Sequence, residues 1–82
     1  MHLVIVDDDS VLLGALARRF GQRGFSVTTY ADAITAEQLI AQQAQAYLLD
    51  LRFASQSGLS FIAPLRAALP QCRIILLTGY AS

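Results

Sequence analysis

Six carboxylates serve the whole chain. Three of them stand side by side, Asp7, Asp8 and Asp9, with Ser10 directly after. Asp50 closes the apolar run Tyr47-Leu48-Leu49, and Thr78 closes the run Ile74-Ile75-Leu76-Leu77. Neighbouring carboxylates repel, so the acidic triplet needs water, a cation or a helix N-terminus to compensate it. Oxygen donors of this kind suit a hard divalent cation such as Mg2+, which takes one or two carboxylates together with waters and a phosphate oxygen. An aspartate beside such an ion is also a competent nucleophile for phosphoryl transfer, since carboxylates form aspartyl phosphates. Thr78 could then offer its hydroxyl to a phosphoryl oxygen, with Gly79 leaving room next to it. Singly, each of these residues is an ordinary cap or turn residue: Asp9 or Ser10 can cap a following helix, and Asp50 can open a turn. The chemistry depends on the three stretches ending at one place.

The elements that would bring them together are readable from the pattern. His2 to Val6, Ala46 to Asp50 and Arg73 to Leu77 are short, mostly apolar runs, as in parallel strands buried on both faces. Phe25 to Tyr30 alternates with small polar residues and reads as a half-exposed edge strand. Between them, helical spacing predicts a first helix over Val11 to Arg23, with Val11, Leu12, Ala15, Leu16 and Phe20 as its buried stripe and Gly24 as its left-handed C′ residue. Asp32 is expected to cap a second helix, Ala33 to Gln43, with Ile34, Leu39 and Ile40 on its apolar face. A loop from Arg52 to Ser57 precedes a third helix, Leu59 to Leu69; Pro64 inside it predicts a kink or a late start. The order β-α-β-α-β-α-β implies a parallel, doubly wound sheet with right-handed crossovers. In such sheets ligands bind outside the carboxyl ends of the strands, where Asp7, Asp8, Asp50 and Thr78 all fall.

Composition narrows the function classes. At 82 residues the chain is one domain, and with 55% hydrophobic and 15% charged residues it is not a disordered segment. Net charge is zero, so no basic face for nucleic acid is expected. No run is long enough to cross a bilayer and no signal-peptide pattern opens the chain. All six basic residues are arginines, and the single cysteine, Cys72, fits a reducing cytoplasm.

The strand-end residues resemble those of a known family, the receiver (CheY-like) domains of bacterial two-component response regulators. The matching stretches are Val4-Ile5-Val6-Asp7-Asp8-Asp9, Leu49-Asp50, Gly58 eight residues after Asp50, and Leu76-Leu77-Thr78-Gly79, in order along the whole chain. The segments Asp50-Leu51-Arg52, Ser57-Gly58-Leu59 and Leu76 to Tyr80 look most like the redox-responsive RegA/PrrA type. The resemblance implies a flavodoxin-like fold with strand order 2-1-3-4. It implies Asp50 as phosphoacceptor, and Mg2+ held by Asp7, Asp8, Asp50 and the backbone carbonyl of Arg52. It further implies Thr78 as a switch hydroxyl, a sensor histidine kinase as partner, an output in transcription, and a signalling module rather than an enzyme.

The family also carries a lysine on a fifth strand, whereas this chain has no lysine and no stretch matching the fifth strand or the last two helices. Residues 1–82 are therefore expected to be a partial receiver domain without an output domain, truncated after the fourth strand. The alternative is a degenerate receiver that serves only for binding or oligomerisation. In either case the uncharged stretch Ile74 to Leu77 is expected to form an exposed edge, and homo-oligomers are expected through that edge or the face beside helix one. A metal-dependent phosphatase of related topology is disfavoured because a second acid usually follows two residues after its aspartate, where Arg52 stands.

Overall fold

The computed structural model describes residues 1–53 and 56–77. The apolar runs form β1 (His2–Val6), β3 (Ala46–Asp50) and β6 (Arg73–Leu77), with the boundaries expected, and β2 (Ser26–Tyr30) starts one residue later than the pattern suggested. All pair in parallel in the order β2-β1-β3-β6. This is the doubly wound, flavodoxin-like arrangement. Val4, Val6, Tyr47 and Leu49 face one core with Ile34, Leu39, Phe53, Phe61 and Leu65. Leu3, Ile5, Ala46 and Leu48 face the other with Leu13. Each large aliphatic buried in this way contributes about 1.5–3 kcal/mol.

Helix α1 (Ser10–Gln22) is capped by Asp9, whose side chain accepts from the N–H groups of Val11 and Leu12, both at 3.1 Å. Its far end closes as expected on Gly24, at φ +94°. There the N–H of Phe25 donates to the Phe20 carbonyl and that of Gly24 to the Gly21 carbonyl, while the Phe20 and Phe25 rings meet edge to face at 5.4 Å. The buried stripe differs from the expected one. Leu13, Leu16 and Phe20 lie against the sheet, whereas Val11, Leu12 and Ala15 are exposed. Positions i, i+3 and i+7 from Leu13 share one face, and the apolar residues outside that face have no described neighbour to cover them.

Helix α2 is shorter than expected, Ala36–Ala41, and its cap is Thr35 rather than Asp32. Thr35 Oγ1 accepts from the Gln38 N–H at 3.2 Å and Gln38 Oε1 accepts from the Thr35 N–H at 2.9 Å, a reciprocal pair that satisfies two N-terminal donors. Ile34 precedes the cap and packs in one core with Leu39, which fixes the entry angle. The expected loop after β3 contains a small antiparallel hairpin, β4 (Arg52–Phe53) with β5 (Gln56–Ser57). A 3-10 turn over Gly58–Phe61 then delays α3 to Ile62–Ala68. Pro64 is the third residue of that helix, where a backbone N–H has no helical partner to lose. The late start expected from Pro64 is the outcome.

Tyr47 lies on β3 with none of its surface exposed. Its hydroxyl donates to the Leu39 carbonyl at 2.7 Å and accepts from the Ala44 N–H at 3.1 Å. One phenol therefore ties the central strand to the end of α2 and the turn that follows. Tyr47→Phe keeps the ring and leaves both backbone groups without that partner. We expect a loss of about 1–3 kcal/mol, read as a lower urea midpoint; an unchanged midpoint would show that the bond pair contributes nothing net.

Candidate functional site

The register of the sheet builds the site. Val6 stands opposite Leu49, so the chain leaves β1 at Asp7 alongside Asp50 at the end of β3. Asp50 in turn stands opposite Leu77 on β6. Asp7, Asp8 and Asp50 each offer a carboxylate oxygen, and these oxygens lie within 4.8 Å of one another. Asp7 is buried, at 4% exposure; Asp8 is exposed and Asp50 half-buried. Asp9 does not join the cluster. Its side chain caps α1, and its N–H donates to Asp7 Oδ1 at 2.9 Å.

Asp50 is held from its own loop. The Arg52 N–H donates to Asp50 Oδ1 at 3.2 Å. The Leu51 N–H donates to the Leu77 carbonyl at 3.1 Å, and the Gly58 N–H to the Leu51 carbonyl at 2.9 Å. Gly58 is there for want of space: a Cβ at that position would meet the Asp50 carbonyl oxygen at 2.2 Å. Any side chain at 58 would displace the backbone that carries Asp50. Arg52, expected as a carbonyl ligand, lies on β4 beside the cluster with its side chain exposed. Thr78 and Gly79 lie outside the described residues.

Burial pushes the Asp50 carboxyl above its usual value, and the charges of Asp7 and Asp8 push the same way, while the Arg52 N–H opposes them. Repulsion from the neighbouring carboxylates thus acts in the same direction as burial, and burial is the larger cause. A carboxyl that resists ionisation, set among hard oxygen donors, suits a divalent cation of the Mg2+ or Ca2+ class, which would offset most of the cluster's charge without a proton. Sequence reasoning did not single out Gln56. Its side chain accepts from the Ile34 N–H at 3.2 Å and donates to the Ile34 carbonyl at 3.0 Å, joining the β4–β5 hairpin to the loop before α2. No local pattern marks such a long-range bond.

A doubly wound parallel sheet with three carboxylates gathered at its carboxyl edge defines a receiver-type signalling fold. The chain belongs to the response regulator receiver domain family, whose sequence profile matches residues 3–82. It is 42% identical to the photosynthetic apparatus regulatory protein RegA of Rhodobacter capsulatus, over 98% of this chain and 44% of that protein. It is 40% identical to the RegA of Cereibacter sphaeroides over the same shares. Among solved structures it resembles a response regulator from Burkholderia pseudomallei, with a TM-score of 0.81 and 34% identity over 99% of this chain and 48% of that one. That crystal structure holds a phosphorylated aspartic acid, a calcium ion and citrate. The chain thus spans about half the length of the curated relatives it matches.

The raised Asp50 value has a stability consequence of fixed sign. The folded chain binds this proton more tightly than the unfolded chain does. The contribution is therefore fully present below the ordinary aspartate range and is lost as the pH rises through the raised value. In metal-free buffer, Asp50→Asn should be more stable than the wild type at neutral pH. The gap should close as the pH falls below the ordinary aspartate range. Thermal midpoints measured with chelator across that interval check this; a gap that widens toward acid would reverse the assigned shift.

Proposed function

We propose that residues 1–82 act as the phosphoacceptor portion of a response regulator, a single partial receiver domain taking a phosphoryl group from a sensor histidine kinase onto Asp50. The observation that carries this reading is the gathering of the Asp7, Asp8 and Asp50 oxygens within 4.8 Å at the carboxyl edge of the sheet. A carboxylate oxygen of Asp50 attacks the phosphorus of a phosphohistidine. The new O–P bond forms as the P–N bond breaks, and the electron pair stays on the departing imidazole nitrogen, which takes up a proton. Asp7, Asp8 and Asp50, with the backbone carbonyl of Arg52, would hold Mg2+, which when bound supplies positive charge to the oxygens collected there. Thr78 is assigned the switch hydroxyl by its place in the family pattern. The phosphorylated aspartic acid and calcium ion of the Burkholderia relative support the same chemistry.

The chain is proposed as an acceptor and not an enzyme, working in the cytoplasm on an output that, by likeness to the RegA proteins, is transcription. Among the described residues no helix is long and apolar enough to cross a membrane. Nucleic acid would be contacted outside this segment. With Mg2+ present, acetyl phosphate should label the wild type and Asp9→Asn, whose asparagine still caps α1. Asp50→Asn should take no label. Equal labelling of the wild type and Asp50→Asn would place the chemistry elsewhere.

A second reading, a binding or oligomerisation module, is favoured by apolar surface in two places. Val11 and Leu12 on α1 are 81% and 41% exposed, and Ile75 on the outer strand β6 is 49% exposed. The 82-residue chain should sediment as a dimer or larger species at micromolar concentration, and Ile75→Lys should shift it toward monomer. A compact wild-type monomer would refute self-association through either face.

A further inference from the structure

We infer that Gln56 is a positioning residue for the metal site, acting through the β4–β5 hairpin; the inference rests on the metal-dependent phosphoacceptor reading above. The hairpin follows Asp50 by one residue and carries Arg52, whose N–H bonds the Asp50 carboxylate. Its strands are two residues each, and so small a hairpin is not stable by itself. Something else must fix where Arg52 stands relative to Asp50. On the Asp50 side, the Leu51 and Gly58 bonds hold the root of the loop. On the far side, Phe53 is fully buried in the core that also contains Ile34.

Gln56 stands opposite Phe53 in the hairpin and uses both ends of its amide on the backbone of that same Ile34, 22 residues away. Donor and acceptor are both engaged, so the amide acts as one rung of a strand pairing between two loops that, among the described residues, show no other. Ile34 itself is buried, at 3% exposure. Without the amide, its N–H and carbonyl lose their partner beside the core, and on this far side, among the described residues, the hairpin keeps Phe53 as its anchor. A single apolar contact sets depth but leaves rotation about it free, and rotation of the hairpin would carry the Arg52 backbone away from Asp50. The clamp therefore acts on the metal site through backbone it does not share with any of the three carboxylates.

The test is a Mg2+ titration of the metal-free wild type and of Gln56→Met, which keeps the side-chain length and removes both hydrogen-bonding ends. The backbone amide resonances of Asp7, Asp8, Asp50 and Arg52 report binding. The dissociation constant should rise about ten-fold in the variant, as for other residues that orient metal ligands without touching the ion. A merely structural residue would lower the unfolding midpoint and leave the Mg2+ affinity of the folded chain unchanged. A second measurement needs no variant. Coupling between clamp and metal is reciprocal, so Mg2+ should slow hydrogen exchange at the Ile34 N–H of the wild type. If Mg2+ shifts the site resonances but leaves Ile34 exchange and the variant's affinity unchanged, the clamp's role is overturned and the metal reading stands. If the wild type shows no Mg2+ response at Asp7, Asp8 or Asp50, the metal reading falls and the clamp's role with it.

Discussion

The pairing of β1 with β3 is the constraint on which the site depends. Because Val6 stands opposite Leu49, two parallel strands deliver Asp7 and Asp50 to the same edge, where their charges oppose each other. The obvious relief would be a slip of register, and the core forbids it. Both strands are buried on both faces, with Val4, Val6, Tyr47 and Leu49 in one cluster and Leu3, Ile5, Ala46 and Leu48 in the other. A slip of one residue would exchange every side chain between the two faces. Apolar packing thus holds together carboxylates that electrostatics would separate, and the unfavourable charge is local while the compensation is spread through the sheet.

The loop that follows β3 solves a different problem. Asp50 is only half-buried, and its backbone is fixed all the same. Fixation comes from backbone bonds of Leu51 and Gly58 and from the absence of a side chain at 58, which lets the chain pass against the Asp50 carbonyl. The Arg52 N–H favours the charged form of Asp50, while burial and the neighbouring carboxylates favour the neutral one. The net effect raises the Asp50 carboxyl above its ordinary value. That leaves Asp50 better suited to respond to a bound cation than a fully solvated aspartate would be.

Much of this was legible in the sequence because it is written in local pattern. The three apolar runs gave β1, β3 and β6, and the alternation of helices and strands gave the sheet, hence the meeting of Asp7, Asp8 and Asp50. Gly24 and Pro64 were legible because each acts on the backbone by itself: glycine freely adopts a positive φ, and proline fixes φ and lacks an N–H. The cap of α2 was also on the page, as Thr35 with Gln38 three residues on, but Asp32 is as good a cap by residue type, and the reciprocal Thr35–Gln38 pairing is what decides between them. The stripe of α1 was misread because Val11 and Leu12 are apolar without facing the sheet; which apolar residues are covered depends on the helix's rotation against the sheet, which spacing alone does not fix. Gln56 was invisible for a stronger reason. Its partners lie 22 residues away, and nothing in a glutamine's neighbours announces a bond to distant backbone.

Charge counting ties the acidic cluster to what it could sense. With all three carboxylates ionised, the cluster would carry three negative charges. Phosphorylating Asp50 would remove one and add about two with the phosphoryl group, leaving the cluster near −4. A divalent cation would bring that to about −2, close to the charge of the two aspartates that remain. Phosphate and cation would therefore not be independent ligands of this edge: each would make the site more hospitable to the other, and by linkage the effect would be mutual. The fold supplies the condition for that coupling by refusing to let the carboxylates move apart. If the strands could yield, the charge would be relieved by motion and neither ligand would be needed.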